Sequence, residues 1–294
     1  MKLLVYLVAA VCLVAFTSQA QVLFSENFNA QTPDATVSGF GTVSPSTATA
    51  TLGSIVTNVA GNNAMRMYDT DPSNATRVDQ DFTPTAGIHF SMSFTRNANI
   101  PITTTTQALY LSFGTNGFSQ TSQANRTFDV RLYNDGTYRF DRGFQNSSGI
   151  VTATGNTASS VYFDSGSLTI SAHTLDVYAY SAAPLGATLA YTGPDSVARV
   201  LDPNSFAVYI DGALVIPSSS GLTANGNYGY YGSAWYGIDL GRFTLLTSAS
   251  SNVGMDFLID DIQLSVIPEP STFVLLGAGG LLLMGLMRRT RRSR

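Results

Sequence analysis

Short segments in which apolar and polar residues alternate are the feature that most restricts the fold of this chain. Residues 128–133 alternate in this way, and so do residues 137–140 after the tight turn Asn134-Asp135-Gly136. A period of two places successive side chains on opposite faces of a strand. Because Asp-Gly supplies the positive φ angles of a tight turn, these residues predict an antiparallel hairpin.

The same pattern recurs along most of the chain, whereas helical periodicity is scarce. A second hairpin is predicted for residues 206–210 and 213–216, around Asp211-Gly212. Further predicted strands are residues 21–28, 77–82, 88–95, 108–113, 167–180, 237–246 and 255–266. Nearly a dozen strands with turns between them predict an all-β fold, a single large antiparallel β-sandwich of the jelly-roll kind.

The N-terminus has the features of a secretory signal peptide. Lys2 precedes the apolar residues 3–16, and the small residues Ser18 and Ala20 stand where signal peptidase reads its substrate. We expect cleavage after Ala20, which leaves residues 21–265 as the sandwich domain. The only cysteine, Cys12, is lost with the signal peptide, so the sandwich has no disulfide and no thiolate metal site.

Charge is distributed unevenly along the chain. Residues 21–270 contain 19 acidic residues against nine arginines and no lysine, a net charge of about −10. The residues after them contain arginines and no acid. Because an acidic body repels polyanions, nucleic acid is excluded as a partner.

The C-terminus combines an apolar segment with a basic cluster. Residues 273–287 carry no charge, and as a helix they would be about 22 Å long, against about 30 Å of hydrocarbon in a bilayer. Such a segment is a short, temporary anchor in the inner membrane. The arginines that follow keep the C-terminus on the cytoplasmic side and leave the body outside. They are Arg288, Arg289, Arg291, Arg292 and Arg294.

Pro268-Glu269-Pro270 precedes this apolar segment and cannot extend its helix upstream. The tripeptide, the apolar segment and the arginine cluster together resemble the PEP-CTERM sorting signal, here residues 266–294. The resemblance implies export and recognition by an exosortase-like membrane transpeptidase. It also implies removal of the tail and a final location at the cell surface or outside the cell. The alternative is an ordinary tail anchor.

The body itself resembles concanavalin A-like and laminin G-like sandwiches. The residues that carry this resemblance are 24–28 at the start, the hairpin 207–212 and the closing segment 258–264. It implies that the first and last strands lie together, and it permits polysaccharide binding.

Candidate catalytic residues are few. Glycoside hydrolysis uses two facing carboxyl groups, but Glu26 and Glu269 are the only glutamates after residue 20. Asp79 and Asp81 would share a face of a strand, either as a catalytic pair or as a solvated edge. His89 and His173 have no second histidine at ligand spacing, and we expect both to be hydrogen-bonded structural residues.

The sequence therefore favours a non-catalytic protein of the envelope or extracellular matrix. The alternative is a polysaccharide-active hydrolase or lyase that uses aspartate carboxylates.

Calcium is the candidate metal because it needs only oxygen ligands. Strict alternation would place Asp260 on one face with Ile262 and Leu264, where its carboxylate needs a partner. We expect either ordinary hydrogen bonds or a structural Ca²⁺ held by Glu26, Asp260 and Asp261.

A glycine-rich segment, residues 225–237, concentrates aromatic residues. Tyr228, Tyr230, Trp235 and Tyr236 are candidates for stacking on sugar rings, and packing between the sheets is the alternative.

Overall fold

The computed structural model describes an antiparallel β-protein over residues 20–71, 73–96, 108–117, 126–133, 138–141, 156–157, 171–182, 186–215, 223–230, 237–247 and 255–267. These residues form eighteen strands and no helix. No stretch of this described part is therefore a helix able to cross a membrane. Val22–Val266 forms one compact unit. Residues 1–19 of the predicted signal peptide and the predicted membrane helix (residues 273–287) lie outside the described residues.

The larger sheet has nine strands. They are β1 (Val22–Glu26), β3 (Leu52–Val59), β4 (Asn62–Asp69), β6 (Gly87–Arg96), β11 (Ala172–Tyr180), β14 (Ser205–Ile210), β15 (Ala213–Leu214), β16 (Tyr228–Gly229) and β18 (Met255–Val266). Their order is β15-β14-β11-β6-β18-β4-β3, with β1 also paired to β18 and β16 to β14. The last strand within the described residues, β18, thus lies in the interior of this sheet.

The smaller sheet has seven strands. They are β2 (Thr42–Ser44), β5 (Arg77–Thr85), β7 (Ala108–Gly114), β8 (Arg126–Tyr133), β9 (Tyr138–Asp141), β10 (Asn156–Thr157) and β17 (Leu240–Thr247). Their order is β10-β9-β8-β7-β17-β5-β2, and a separate hairpin joins β12 (Leu189–Thr192) to β13 (Ala198–Leu201).

Both predicted hairpins are confirmed. β8 pairs with β9, and β14 pairs with β15 across Asp211 and Gly212, whose φ angles are 52° and 74°. β1 pairs with β18, with Phe24 opposite Leu264. The first and last strands therefore lie together, as the resemblance to concanavalin A-like sandwiches implies.

Aromatic side chains from the two large sheets meet in the core. Phe90 of β6 lies edge-to-face against Phe113 and Phe243, with ring centroids 5.5 and 5.2 Å apart. Phe128 of β8 stacks on Phe206 of β14 at 4.2 Å. All five rings are fully buried, each worth about 1.5–3 kcal/mol of transfer free energy. This contact makes the sheets a sandwich.

A β-bulge in β18 changes the face on which its residues lie. Ile259 before the bulge and Ile262 and Leu264 after it are all buried in the core, although an odd number of positions separates the first from the other two. Asp261 has a φ of 50° and marks the extra residue. The prediction that Asp260 shares a face with Ile262 and Leu264 is therefore wrong.

Candidate functional site

Polar side chains cover the face of the seven-stranded sheet that is turned away from the core. In the row across β5, β17, β7 and β8, Asp79 is opposite Thr244, Thr244 opposite Ser112, and Ser112 opposite Asp129. The row follows from alternation, because each of these residues is next to a core residue in its own strand. All four are buried.

Arginines lie in the rows on both sides of this one. One row begins with Arg77 in β5 and ends with Arg131 opposite Tyr110. The other pairs Asp81 with Arg242 and continues to Gly114, which is opposite Arg126. We call this surface the arginine face. It is defined by Arg77, Arg126, Arg131, Arg242 and Tyr110.

Asp79 connects three neighbours on the arginine face. Thr244 donates its hydroxyl to Asp79 Oδ1 at 2.8 Å. Arg77 Nε lies 3.1 Å and Arg242 Nη1 lies 3.8 Å from Asp79 Oδ2. The Asp79 side chain is 5% exposed, whereas that of Arg77 is 27% exposed. A buried carboxylate thus holds guanidinium groups that remain accessible.

Asp129 has the same role at the other end of the row. Its Oδ2 lies 3.2 Å from Arg126 Nη1 and 3.4 Å from Arg131 Nη2. Its Oδ1 is buried without a hydrogen-bond partner among the described residues. The Arg131 guanidinium also lies over the ring of Tyr110, 4.6 Å from the centroid, in a cation–π contact.

Asp81 is the exposed acid of the arginine face. Arg242 donates to both of its carboxylate oxygens, from Nε at 2.6 Å and from Nη2 at 2.7 Å. This hydrogen bonding holds the pKa of Asp81 below its usual value and raises the pKa of Arg242. Asp79 and Asp81 do share a face, as predicted, but both contact Arg242. A carboxyl group kept ionised in this way is poorly suited to donate a proton.

The histidines lie away from the arginine face. His89 Nε2 lies 2.9 Å from Asp176 Oδ1, and His89 stacks on Tyr178. His173 Nδ1 lies 2.8 Å from Asp211 Oδ2. Both are hydrogen-bonded, as expected from the sequence.

The predicted aromatic platform is split by the structure. Tyr228 and Tyr230 lie in the core with 1% and 4% exposure, stacked against Phe206 and, for Tyr230, Phe128. Burial raises the pKa of both tyrosines. Packing between the sheets therefore describes these two residues, and the expectation that they stack on sugars is corrected. Trp235 and Tyr236 lie outside the described residues, and their role remains a prediction.

The predicted calcium ligands are partly satisfied by protein groups. Glu26 Oε1 accepts the Phe28 amide at 2.6 Å. Asp260 accepts Asn62 Nδ2 at 2.6 Å and the Asp261 amide at 2.8 Å.

Within the described residues, no three His, Cys, Asp or Glu side chains form a group that could hold a metal ion. Calcium at Glu26, Asp260 and Asp261 remains a prediction. Equal melting temperatures with and without a chelator would contradict it.

The sorting residues lie outside the described residues. They are Pro268, Glu269, Pro270, Arg288, Arg289, Arg291 and Arg292.

The arginine face was not predicted from the sequence, although part of its signal was present. In residues 128–133, alternation already places Asp129 and Arg131 together on the face opposite to Phe128. Arg77 and Arg242 are far away in the chain, and only the pairing of β5 with β17 brings them close to each other.

Comparison with known proteins identifies the C-terminal segment. Residues 266–292 match the family model of the PEP-CTERM protein-sorting motif, which confirms the resemblance. The motif indicates an exported protein that exosortase processes at the membrane. A search of curated proteins found no match.

Several solved structures are similar over most of the chain. Alginate lyase Aly36B is 13% identical with a TM-score of 0.47, covering 85% of this chain and 99% of that chain. An endo-1,3-beta-glucanase from Streptomyces sioyaensis is 12% identical with a TM-score of 0.45, covering 85% and 98%. The cellulose induced protein Cip1 is 11% identical with a TM-score of 0.45, covering 82% and 96%. Similarity at this level does not determine what this chain does.

Proposed function

We propose that this is a surface protein whose sandwich binds polysaccharide on the arginine face without cleaving it. Exosortase releases it from its sorting segment. The observation that carries the proposal is the gathering of four of the nine arginines of an acidic body on one sheet face. Three of them remain partly accessible: Arg77, Arg131 and Arg242.

The chemistry of the arginine face suits a sugar chain. Guanidinium groups donate to hydroxyl, ring and carboxylate oxygens, and carboxylates such as Asp81 accept from hydroxyl groups. The half-buried Tyr110 offers an aromatic surface to sugar C–H groups. Because buried Asp79 and Asp129 hold the arginines in place, little side-chain entropy is lost on binding.

Binding without cleavage is favoured by the state of the carboxylates. A glycosidase needs one carboxyl group with a raised pKa as its general acid. Hydrogen bonding to Arg242 lowers the pKa of Asp81 instead. Asp79 is engaged with Thr244 and Arg77. Asp79 and Asp81 are therefore better suited to hold arginine side chains in place than to serve as the general acid and the second carboxylate of a glycosidase.

A glycan array probed with the purified chain, followed by titration with the best ligand, tests the proposal. We expect Arg131→Ala to weaken binding by at least about tenfold, since a charge-assisted contact is worth about 1.5–3 kcal/mol. Arg66→Ala is the matched control, because Arg66 also lies over a tyrosine and pairs with an aspartate, but on the other sheet. Equal losses in the two variants would contradict the proposal.

The same ligand separates binding from catalysis. We expect no release of reducing ends and no unsaturated product after long incubation with the chain. Turnover that Asp79→Asn abolishes would favour the alternative, a polysaccharide-active hydrolase or lyase that uses aspartate carboxylates. Asp176→Asn, at a carboxylate outside the arginine face, is the control.

The sorting step is tested by mass spectrometry of the protein recovered from the cell surface. We expect a product that lacks the arginine cluster, from Arg288 onward, and begins at Gln21. An intact Arg294 would contradict processing by exosortase.

A further inference from the structure

We propose that one end of the sandwich lies against the membrane surface while the sorting segment still holds the chain. This is the end at which β1 begins and β18 ends, and we call it the membrane-side end. Its described residues are 21–22, 83–88, 180–182, 202–205, 237–240 and 265–267. The proposal rests on the sorting motif and does not depend on polysaccharide binding.

The first observation is that the chain leaves almost no spacer between the fold and the tail. The sorting-motif match begins at Val266, which is the last residue of β18 and lies opposite Ile88 of β6. Ile267 is still buried. Residues 268–272 are all that separates Ile267 from the apolar segment.

The length of this spacer limits the distance between the end of β18 and the lipid surface. Five residues span at most about 18 Å when fully extended. Roughly 5–8 Å of that length crosses the headgroup layer on one side of the bilayer. The end of β18 is therefore held within about 10–13 Å of the lipid surface, a distance shorter than β18 itself at about 3.3 Å per residue.

The second observation is that the N-terminal strand begins at the same end. Val22 is opposite Ser265 in the antiparallel pair of β1 and β18. Paired strands lie about 4.8 Å apart. The predicted signal peptide ends at Ala20, so before cleavage both apolar segments join the sandwich at neighbouring strand ends. A chain attached to one membrane by both segments needs this placement.

The third observation is the distribution of charge. Among its described residues, the membrane-side end carries two charged side chains, Asp202 and Asp239. The opposite end, where β18 begins, carries seven ionisable side chains within its described part. They are Asp69, Asp71, Arg77, Arg96, His173, Asp211 and Asp256.

The short spacer selects the lipid surface as the occupant, and the smaller number of ionised side chains at this end lowers the cost of desolvation on contact. Net charge does not distinguish the ends, since two aspartates at one and four aspartates with two arginines at the other sum to the same value. Anionic lipids in the facing leaflet would repel a body with a net charge of about −10. Such repulsion falls off within about one Debye length, roughly 8–10 Å. Val22, which is 51% exposed, adds an apolar contact at this end. Exosortase must then reach Pro268 in the narrow space between fold and lipid.

Two cysteine variants test the proposal in the full chain. Thr83→Cys lies at the membrane-side end and Ser73→Cys at the opposite end, and both positions are exposed. Each is made in a Cys12→Ser background, produced in a host without exosortase, and placed in vesicles of phosphatidylethanolamine and phosphatidylglycerol. A fluorophore on each thiol is then exposed to lipids that carry a nitroxide on the headgroup. We expect several-fold stronger quenching at position 83 than at position 73.

A linker provides the internal control. Ten Gly and Ser residues inserted between Ile267 and Pro268 add about 16–19 Å of average reach, and we expect quenching at position 83 to fall towards that at position 73. Equal quenching without the linker, or quenching at position 83 that the linker leaves unchanged, would overturn the proposal. So would a chain that fails to float with the vesicles. None of these outcomes bears on the arginine face.

Discussion

Each large sheet carries an arginine above a tyrosine ring on its outer face, but the two arginines have different neighbours. Arg131 lies 4.6 Å from the ring centroid of Tyr110, and Arg66 lies 4.9 Å from that of Tyr68. The similar distances show that an arginine over a tyrosine is a packing arrangement that either sheet can form. By itself, such a pair does not indicate a binding site.

The aspartates beside these arginines show the difference. Asp256 accepts two hydrogen bonds at its Oδ2 from Arg66, from Nε at 3.1 Å and Nη2 at 2.7 Å, and a third at Oδ1 from Nε at 3.0 Å. One oxygen of Asp129, in contrast, lies between Arg126 and Arg131. One carboxylate shared by two guanidinium groups brings Arg126 and Arg131 close together, and this concentration of arginine is what makes the arginine face a candidate site.

The largest expected effect comes from removing the two aspartates in turn. Asp129→Ala should lower the free energy of unfolding by about 3–5 kcal/mol, because it removes the buried carboxylate that two mostly buried guanidinium groups share. Asp256→Ala should cost only about 1.5–3 kcal/mol, since the Arg66 side chain is 37% exposed and regains water. Urea unfolding measures both. A larger loss for Asp256→Ala would remove the distinction between the two faces.

A smaller loss of stability is expected when the buried hydroxyl group of Thr244 is removed. Thr244→Val keeps the shape but removes the buried donor to Asp79, at a cost of about 1–3 kcal/mol. Thr95→Val, on the outer face of the nine-stranded sheet and only half-buried, is the matched control, with an expected change within about 0.5 kcal/mol. Thermal or urea unfolding measures the free energy of unfolding of both variants. Equal losses would contradict a stabilising role for the buried hydrogen bond from Thr244 to Asp79.

The smallest expected effect is a difference between two carboxyl groups that carbon NMR titration can resolve. The pKa of Asp81 should lie below the ordinary value of about 3.9 because of its hydrogen bonds to Arg242. The pKa of Asp260 should lie above it, chiefly because burial disfavours its ionised form. Reversed shifts would contradict the environments assigned to the two carboxyl groups, hydrogen bonding to Arg242 for Asp81 and burial for Asp260.

The opposite shifts have opposite consequences for stability. Asp81 stabilises the fold above its unfolded pKa, and this contribution is lost as pH falls through its lower folded value. The contribution of Asp260 is fully present below its unfolded pKa and is lost as pH rises through its higher folded value. Asp81→Asn and Asp260→Asn should therefore change the acid side of the stability curve in opposite directions.

The parts of the fold that sequence predicts well are those with a local signal. Residues 128–140 and 206–214 combine alternation with Asp-Gly turns, and β18 was predicted at its observed bounds, Met255–Val266. The hairpin of β3 and β4 was missed. Its strands contain few aromatic residues, and its turn at Ala60-Gly61 is not an Asp-Gly or Asn-Gly pair.

The candidate site depends on contacts that the sequence does not encode locally. Arg77 and Arg242 approach the same aspartate only because β5 pairs with β17. Alternation gives the wrong face for Asp260 because of the bulge at Asp261. One extra residue in a strand moves every later side chain to the opposite face of the sheet. Tyr228 and Tyr230 show the same limit. Aromatic residues among glycines suit either a sugar platform or a core, and only the packing against Phe206 decides.

The most direct test of polysaccharide binding on the arginine face is modification of arginine in the unaltered protein. Phenylglyoxal labels accessible guanidinium groups, and mass spectrometry reads each arginine separately. Saturating polysaccharide selected by the glycan array should protect Arg77, Arg131 and Arg242 while Arg66 and Arg199, which also form ion pairs, react as before. Equal protection of all five arginines, or protection of Arg66 and Arg199 alone, would contradict the account.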